Sequence, residues 1–214
     1  MKYKAVVFDM DGVLIDERSS WTKVHKNFDT DCSTNFKAFE QGDITYSEFM
    51  RRDIGEWIKK RKVTYEDILK IFGKFEPMTG AKEVVDQLRK QGYVLCIVSC
   101  GIGVLAKNVA EYFGIEHVYA NGLVIDEFGY LTGEGIKRVP LWEKHETLKQ
   151  FCTEHNILPS EVIAIADTKF DSQIIKAAGL GIAFNPGDED IRKAADVVVE
   201  GQDLKDVLPY IFNE

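Results

Sequence analysis

Three apolar runs in this sequence end in side chains able to do chemistry. Val7-Phe8 leads into Asp9-Met10-Asp11-Gly12, Val98 into Ser99-Cys100-Gly101, and Ile165-Ala166 into Asp167-Thr168-Lys169-Phe170-Asp171. Two carboxylates two residues apart repel each other unless a proton or a cation lies between them. A hard divalent cation with oxygen ligands meets that need. An EF-hand loop also collects acids, but Val13 and Leu14 stand where its further oxygen ligands belong. If the three runs are parallel strands, their ends share one rim, and Asp9, Asp11, Ser99 and Asp167 converge there. Acids, a hydroxyl and glycine-bearing turns together suit Mg²⁺ and a phosphate. Lys144, at the start of the helix before the Asp167 run, supplies fixed positive charge near the same rim.

The elements that must hold these groups are legible. Val94–Val98, Val162–Ala166, Gly181–Phe184 and Val197–Val199 are continuously apolar, as strands buried on both faces of a parallel sheet are. Amphipathic stretches lie at Ala81–Gln91, Val104–Phe113, Leu141–His155, Asp171–Ala178 and Leu204–Phe212. Strand and helix alternate, which predicts a doubly wound α/β domain. Leu123-Val124-Ile125 and Tyr130-Leu131-Thr132 flank Asp126-Glu127-Phe128-Gly129 and predict a β-hairpin on the sheet edge. Residues 17–75 lack a strand-like run. Trp21, Val24 and Phe28 recur at helical spacing there, as do Phe49, Ile54, Trp57 and Ile58, and Thr64 with Asp67 forms a capping-box pattern. We read this stretch as a small helical cap inserted into a core made of residues 1–16 and 76–214.

Composition narrows the function. The 214 residues are 45% hydrophobic and 29% charged, which excludes a disordered chain. A net charge of −8 disfavours a global nucleic-acid or anionic-membrane binder. Cys32, Cys96, Cys100 and Cys152 form no C-x-x-C pair, and the opening run Ala5–Phe8 is too short for a signal-peptide core, so a reduced, cytoplasmic protein is expected. His25, His117, His145 and His155 show no metal-ligand spacing and read as surface or core residues. Nothing in the residues sets an oligomeric state.

The constellation resembles the haloacid dehalogenase superfamily. Its motifs stand here in order as Asp9-Met10-Asp11-Gly12-Val13-Leu14, Ser99, Lys144, and Asp167 with Asp171. Within the superfamily, Gly80–Phe113, Leu131-Thr132-Gly133 and Lys176-Ala177-Ala178-Gly179-Leu180 resemble the phosphoserine phosphatases. The resemblance implies a Rossmann-like core with a helical cap and hydrolysis of a small phosphorylated metabolite. Asp9 would be the nucleophile and Asp11 the acid and base. Mg²⁺ would be held by Asp9, the Asp11 backbone carbonyl and Asp167, with Asp171 supporting the metal shell. Ser99, the N–H groups of Cys100 and Gly101, and Lys144 would bind phosphate.

Two departures stand out. The last motif reads Ala166-Asp167-Thr168-Lys169-Phe170-Asp171, without the glycines and asparagine usual in the superfamily. In the cap, Arg18 stands where phosphoserine phosphatases carry a Glu for the substrate's amino group, and Asp53 where they carry an Arg for its carboxylate. Both charges are reversed at these two candidate substrate contacts. Gly101-Ile102-Gly103-Val104-Leu105-Ala106 matches a dinucleotide fingerprint, but no acid ends the next strand to take a ribose. A phosphomutase or phosphotransferase of the same superfamily shares these motifs. A non-catalytic phosphometabolite-binding module has no need of a second Asp.

Overall fold

The computed structural model describes residues 2–212; residues 1, 213 and 214 of the expected core lie outside the described residues. The chain runs β1 (Ala5–Phe8), α1 (Ser20–Asn27), α2 (Ser33–Glu40), α3 (Tyr46–Ile58), α4 (Tyr65–Ile71), α5 (Ala81–Lys90), β2 (Val94–Ile102), α6 (Gly103–Phe113), β3 (His117–Ile125), β4 (Leu131–Ile136), α7 (Lys144–His155), β5 (Val162–Ala166), α8 (Ser172–Ala177), β6 (Leu180–Phe184), α9 (Glu189–Ala194), β7 (Val197–Val199) and α10 (Leu208–Phe212). The strands form one sheet in the order β4-β3-β2-β1-β5-β6-β7. Every pairing is parallel except β3 with β4. This is the expected doubly wound sheet, with the hairpin on its edge.

β1 lies in the middle, paired with β2 on one side and β5 on the other. Its four residues are all buried, because the sheet separates two apolar layers. Val6 and Phe8 enter the layer that also holds Leu95, Ile97, Leu88 and Val109. Ala5 and Val7 face the opposite layer with Cys96, Val98, Phe151 and Ile174. The period-2 alternation of side chains thus explains why the run is apolar throughout. Each fully buried Val or Phe contributes about 1.5–3 kcal/mol. Strand order reverses at β1, so its carboxyl end opens the crevice where such sheets place their sites.

Helices α1 to α4 fill the stretch between β1 and α5. Ser19 caps α1 by accepting from the Thr22 N–H, Thr45 caps α3 from Glu48, and Thr64 with Asp67 completes the expected capping box of α4. α3 lies flat on the hairpin: a Cβ at Gly135 would sit 2.5 Å from the Met50 side chain. The chain entering α4 also extends the hairpin, with the Tyr65 N–H donating to the Gly129 carbonyl and the Leu131 N–H to that of Val63. Among the described residues no helix is long and apolar enough to cross a membrane.

The structure corrects two expectations. β2 does not stop at Val98 but continues to Ile102. Ser99 pairs with Ala120 and Ile102 with Asn121, so Cys100 and Gly101 form a bulge with no counterpart on β3. The helix expected from Leu141 begins at Lys144, because Pro140 to Glu143 makes a turn closed by the Glu143 N–H on the Pro140 carbonyl.

Candidate active site

The carboxyl ends of β1, β2 and β5 bring Asp9, Asp11, Ser99, Cys100, Gly101, Lys144 and Asp167 around one cavity of about 350 Å³, and Arg18 and Asp53 reach it from the α1–α4 side. Asp9 Oδ1 accepts from the Met10 N–H at 2.7 Å and lies 3.1 Å from Lys144 Nζ. Lys144, only 2% exposed, also pairs with Asp171 Oδ1, while Asp171 Oδ2 accepts from the Thr168 hydroxyl. One carboxylate oxygen from each of Asp9, Asp167 and Asp171 falls within 4.8 Å of the others. The donors are all hard oxygens, the set that suits a divalent cation of the Mg²⁺ class. Gly12 is what lets them gather. Its φ of +78° suits glycine, and a Cβ there would lie 2.1 Å from Asp167 Oδ2.

Asp11 is held differently. Its Oδ2 accepts from both the N–H and the hydroxyl of Ser20, each at 2.9 Å, at the start of α1. Its Oδ1 is buried and has no hydrogen-bond partner. The side chain therefore stands outside the acid cluster, and its free oxygen can give or take a proton in the cavity.

Burial is the largest influence on three of these carboxyls, Asp9, Asp11 and Asp167. It pushes the Asp9 carboxyl up to about 7, opposed by Lys144 and reinforced by Asp171 and Asp11. It pushes Asp11 up to about 6 against the two Ser20 hydrogen bonds. Asp167 rises to about 8 through burial and then the nearby Asp9 and Asp171. Burial works against the Lys144 charge, yet Asp171 and Asp9 outweigh it and hold the ammonium well above its ordinary range.

A stability prediction follows from these directions. Freed of divalent cations, the folded chain keeps protons on Asp9, Asp11 and Asp167 that the unfolded chain loses near 3.8. The folded state then binds more protons, so stability falls as pH rises from about 4 through about 8. Thermal melts in chelator should show Tm dropping across that window by about 2–4 °C per kcal/mol lost. Added Mg²⁺ should restore more at the alkaline end, because cation binding displaces those protons. A Tm that rises with pH in chelator would overturn this account.

Two residues that carry the site give no motif. Ser20, fully buried, accepts from the Ile102 N–H at 3.1 Å while donating to Asp11, so one hydroxyl joins α1, the loop after β1 and the end of β2. Asn121 lies under the bulge. Its amide nitrogen donates to the Cys100 and Val139 carbonyls, and its oxygen accepts from the Arg138 and Val139 N–H groups. A second support for the bulge comes from Trp21, whose indole N–H donates to the Cys100 carbonyl. The only sequence signal is for Ser20, which follows an N-cap serine.

The two charge-reversed positions are neither free nor alike. Arg18 donates to Asp167 Oδ2 at 3.1 Å with most of its side chain exposed. Asp53 is 1% exposed and accepts from Asn35 Nδ2 at 2.8 Å. The same wall carries the aromatic residues Trp21, Phe36, Tyr46 and Phe49 and the acid Asp31, among small polar residues and Cys32.

Comparison with known proteins bears on the family and the fold. The family profile described as haloacid dehalogenase-like hydrolase matches residues 6–176. A phosphoserine phosphatase of Methanocaldococcus jannaschii is 26% identical, with 98% of each chain covered. One of Idiomarina loihiensis is 30% identical over 95% of this chain and 91% of that protein. A solved structure described as a phospho-aspartyl intermediate analogue of phosphoserine phosphatase superposes with a TM-score of 0.82 at 25% identity, covering 98% of this chain and 99% of that one. A substrate-bound phosphoserine phosphatase complex gives a TM-score of 0.83 at 24% identity over the same shares. With four-fifths of its length matched by the profile and its acids gathered at the rim of such a sheet, the chain belongs to the haloacid dehalogenase-like hydrolase family.

Proposed function

We propose that the protein hydrolyses the phosphate monoester of a small metabolite through an aspartyl-phosphate on Asp9, with residues 17–75 as a cap over the core. The observation that carries this reading is Asp11, one oxygen pinned by Ser20 and the other buried and unpartnered beside Asp9. A scaffold that only bound phosphate would gain nothing from such an acid.

With Oδ1 of Asp9 engaged by Met10 and Lys144, Oδ2 attacks phosphorus. The new O–P bond forms as the ester P–O bond breaks, and Asp11 gives its proton to the departing oxygen. Asp11, now a carboxylate, takes a proton from the water that attacks the phospho-aspartate, and phosphate leaves with the Asp9 carboxylate restored. Ser99, the bulged backbone of Cys100 and Gly101, and Lys144 hold the phosphoryl oxygens. A cation, Mg²⁺ in this reading, held by Asp9, the Asp11 carbonyl and Asp167 with Asp171 in support, supplies charge that offsets carboxylate–phosphate repulsion. Turnover of a panel of phosphate esters, before and after exhaustive chelation, tests the assignment. Undiminished turnover in chelator would refute the metal requirement, and turnover of no ester would refute the function.

The relatives' named substrate gives a sharper expectation. Arg18 and Lys144 are the lining cations among the described residues, and both are paired with acids at the phosphate end. The cap wall facing the leaving group offers Asp31 and Asp53 instead. A substrate carboxylate beside an acid costs on the order of a few kcal/mol, and 1.4 kcal/mol is about tenfold. With Mg²⁺ as the sole divalent cation, phosphoethanolamine, which is phosphoserine without its carboxylate, should show kcat/KM at least about tenfold higher than phosphoserine. A preference for phosphoserine would overturn the charge-reversal reading.

A further inference from the structure

We infer that His25, Cys32 and Asp53 form a second metal site, for a zinc-class transition ion, in the cap wall of the cavity. The residues come from α1, from the turn before α2, and from α3. One ligand atom of each lies within 4.8 Å of the other two. Their spacings of 7 and 21 residues match no metal motif, so only the folded chain shows the group.

Two buried orphans point into it. His25 Nε2 and Asp53 Oδ2 face each other at 3.3 Å, on side chains 3% and 1% exposed, and neither completes a hydrogen bond. Two ligands held at about 2.0–2.1 Å in a tetrahedral zinc shell stand about 3.3 Å apart. The separation is that of neighbouring ligands.

The surroundings prepare each ligand. The Thr30 hydroxyl lies 2.8 Å from His25 Nδ1 and 3.4 Å from the His25 carbonyl, and in the metal-ligating tautomer it accepts from Nδ1–H while donating to that carbonyl. That leaves the lone pair on Nε2, directed at Asp53. Asn35 occupies Asp53 Oδ1 and leaves Oδ2 to the site. Outer partners of this kind fix the tautomer and orientation of metal ligands. A nitrogen, a thiolate sulfur and a carboxylate oxygen favour zinc, cobalt or copper over Mg²⁺, in contrast to the all-oxygen cluster at the carboxyl ends of β1 and β5. Three protein ligands leave a fourth position, and because Cys32 and Asp53 line the cavity, that position opens toward the leaving group. An oxygen of the substrate or a water fits there. The rival occupant is a proton, making an imidazolium–carboxylate pair.

Cobalt substitution separates the two. The full-length protein is freed of metal, saturated with Mg²⁺ to fill the acid cluster, and titrated with Co²⁺. The expected result is one equivalent with tetrahedral d–d bands and a single thiolate-to-cobalt charge-transfer band. C32S, a near-isosteric change, should abolish the charge-transfer band, whereas C100S should retain it. Thr30→Val should weaken Co²⁺ binding by about 10–100-fold with the spectrum unchanged. A protein that takes up no Co²⁺ beyond the acid cluster, or a band that survives C32S, would overturn the site. The readout is optical, so it stands or falls independently of the phosphatase reading.

Discussion

Asp9→Asn is expected to leave no measurable turnover. The amide is a poor nucleophile, and the change also takes one charge from the cluster shared with Asp167 and Asp171. Removing a covalent nucleophile costs on the order of 10⁶ in kcat elsewhere. The cost here should be at least comparable, because phosphate-monoester hydrolysis is among the slowest uncatalysed reactions, with accelerations reaching about 10²¹. The fold should persist, since Asp171 remains to pair with Lys144. Rapid quench of the wild type with labelled substrate, followed by peptide mapping, should place the phosphoryl group on Asp9. Label on any other residue would sink the assignment.

The second large effect belongs to Asp11. Asp11→Asn should lower kcat/KM by about 10²–10⁴-fold, the range for a positioned acid or base. Its signature should distinguish it from Asp9. Esters with good leaving groups, such as aryl phosphates, need little protonation and should lose least. Their phosphoenzyme should then accumulate, because the base that activates water is also gone. The pH profile gives an independent reading. Asp11 is pushed up to about 6 by burial, and the proposed first step uses its protonated form. Wild-type kcat/KM should therefore fall above about that pH, on a limb the variant lacks. An unchanged limb in Asp11→Asn would assign the proton to another group.

These expectations rest on features of unequal visibility in the sequence. The inner strands were readable because burial on both faces leaves only apolar residues, as in Val162–Ala166, which is β5 residue for residue. The acids at strand ends follow from the same logic, since parallel strands deliver their ends to one rim. α2 escaped notice: none of its residues is buried, so it carries no clear apolar stripe. α9 did too, with a single buried residue, Ile191, although Asp188 before it is a capping signal. The continuation of β2 past Ser99 was hidden because Cys100 and Gly101 form a bulge, set by contacts with Trp21 and Asn121 far along the chain. In the sequence Asp53 reads as a candidate substrate contact, one of several charges on α3 with nothing to mark it as buried. Its burial depends on His25 and Asn35, which only the packing of three helices brings together.

The Ser20 hydroxyl has one more implication. It donates to Asp11 and accepts from Ile102, tying the first turn of α1 to the loop after β1 and the end of β2. Any opening that lifts α1 must break that link, and with it both hydrogen bonds that aim the Asp11 carboxyl. Under the proposed mechanism this link would act as an interlock, making the admission of a substrate and the firing of Asp11 mutually exclusive. An ester too small to hold α1 down meets a disarmed Asp11, and solvent entering an open site finds no base aligned to activate it. Amide exchange at Ile102, whose N–H donates to the Ser20 hydroxyl, would then gauge how often that link opens.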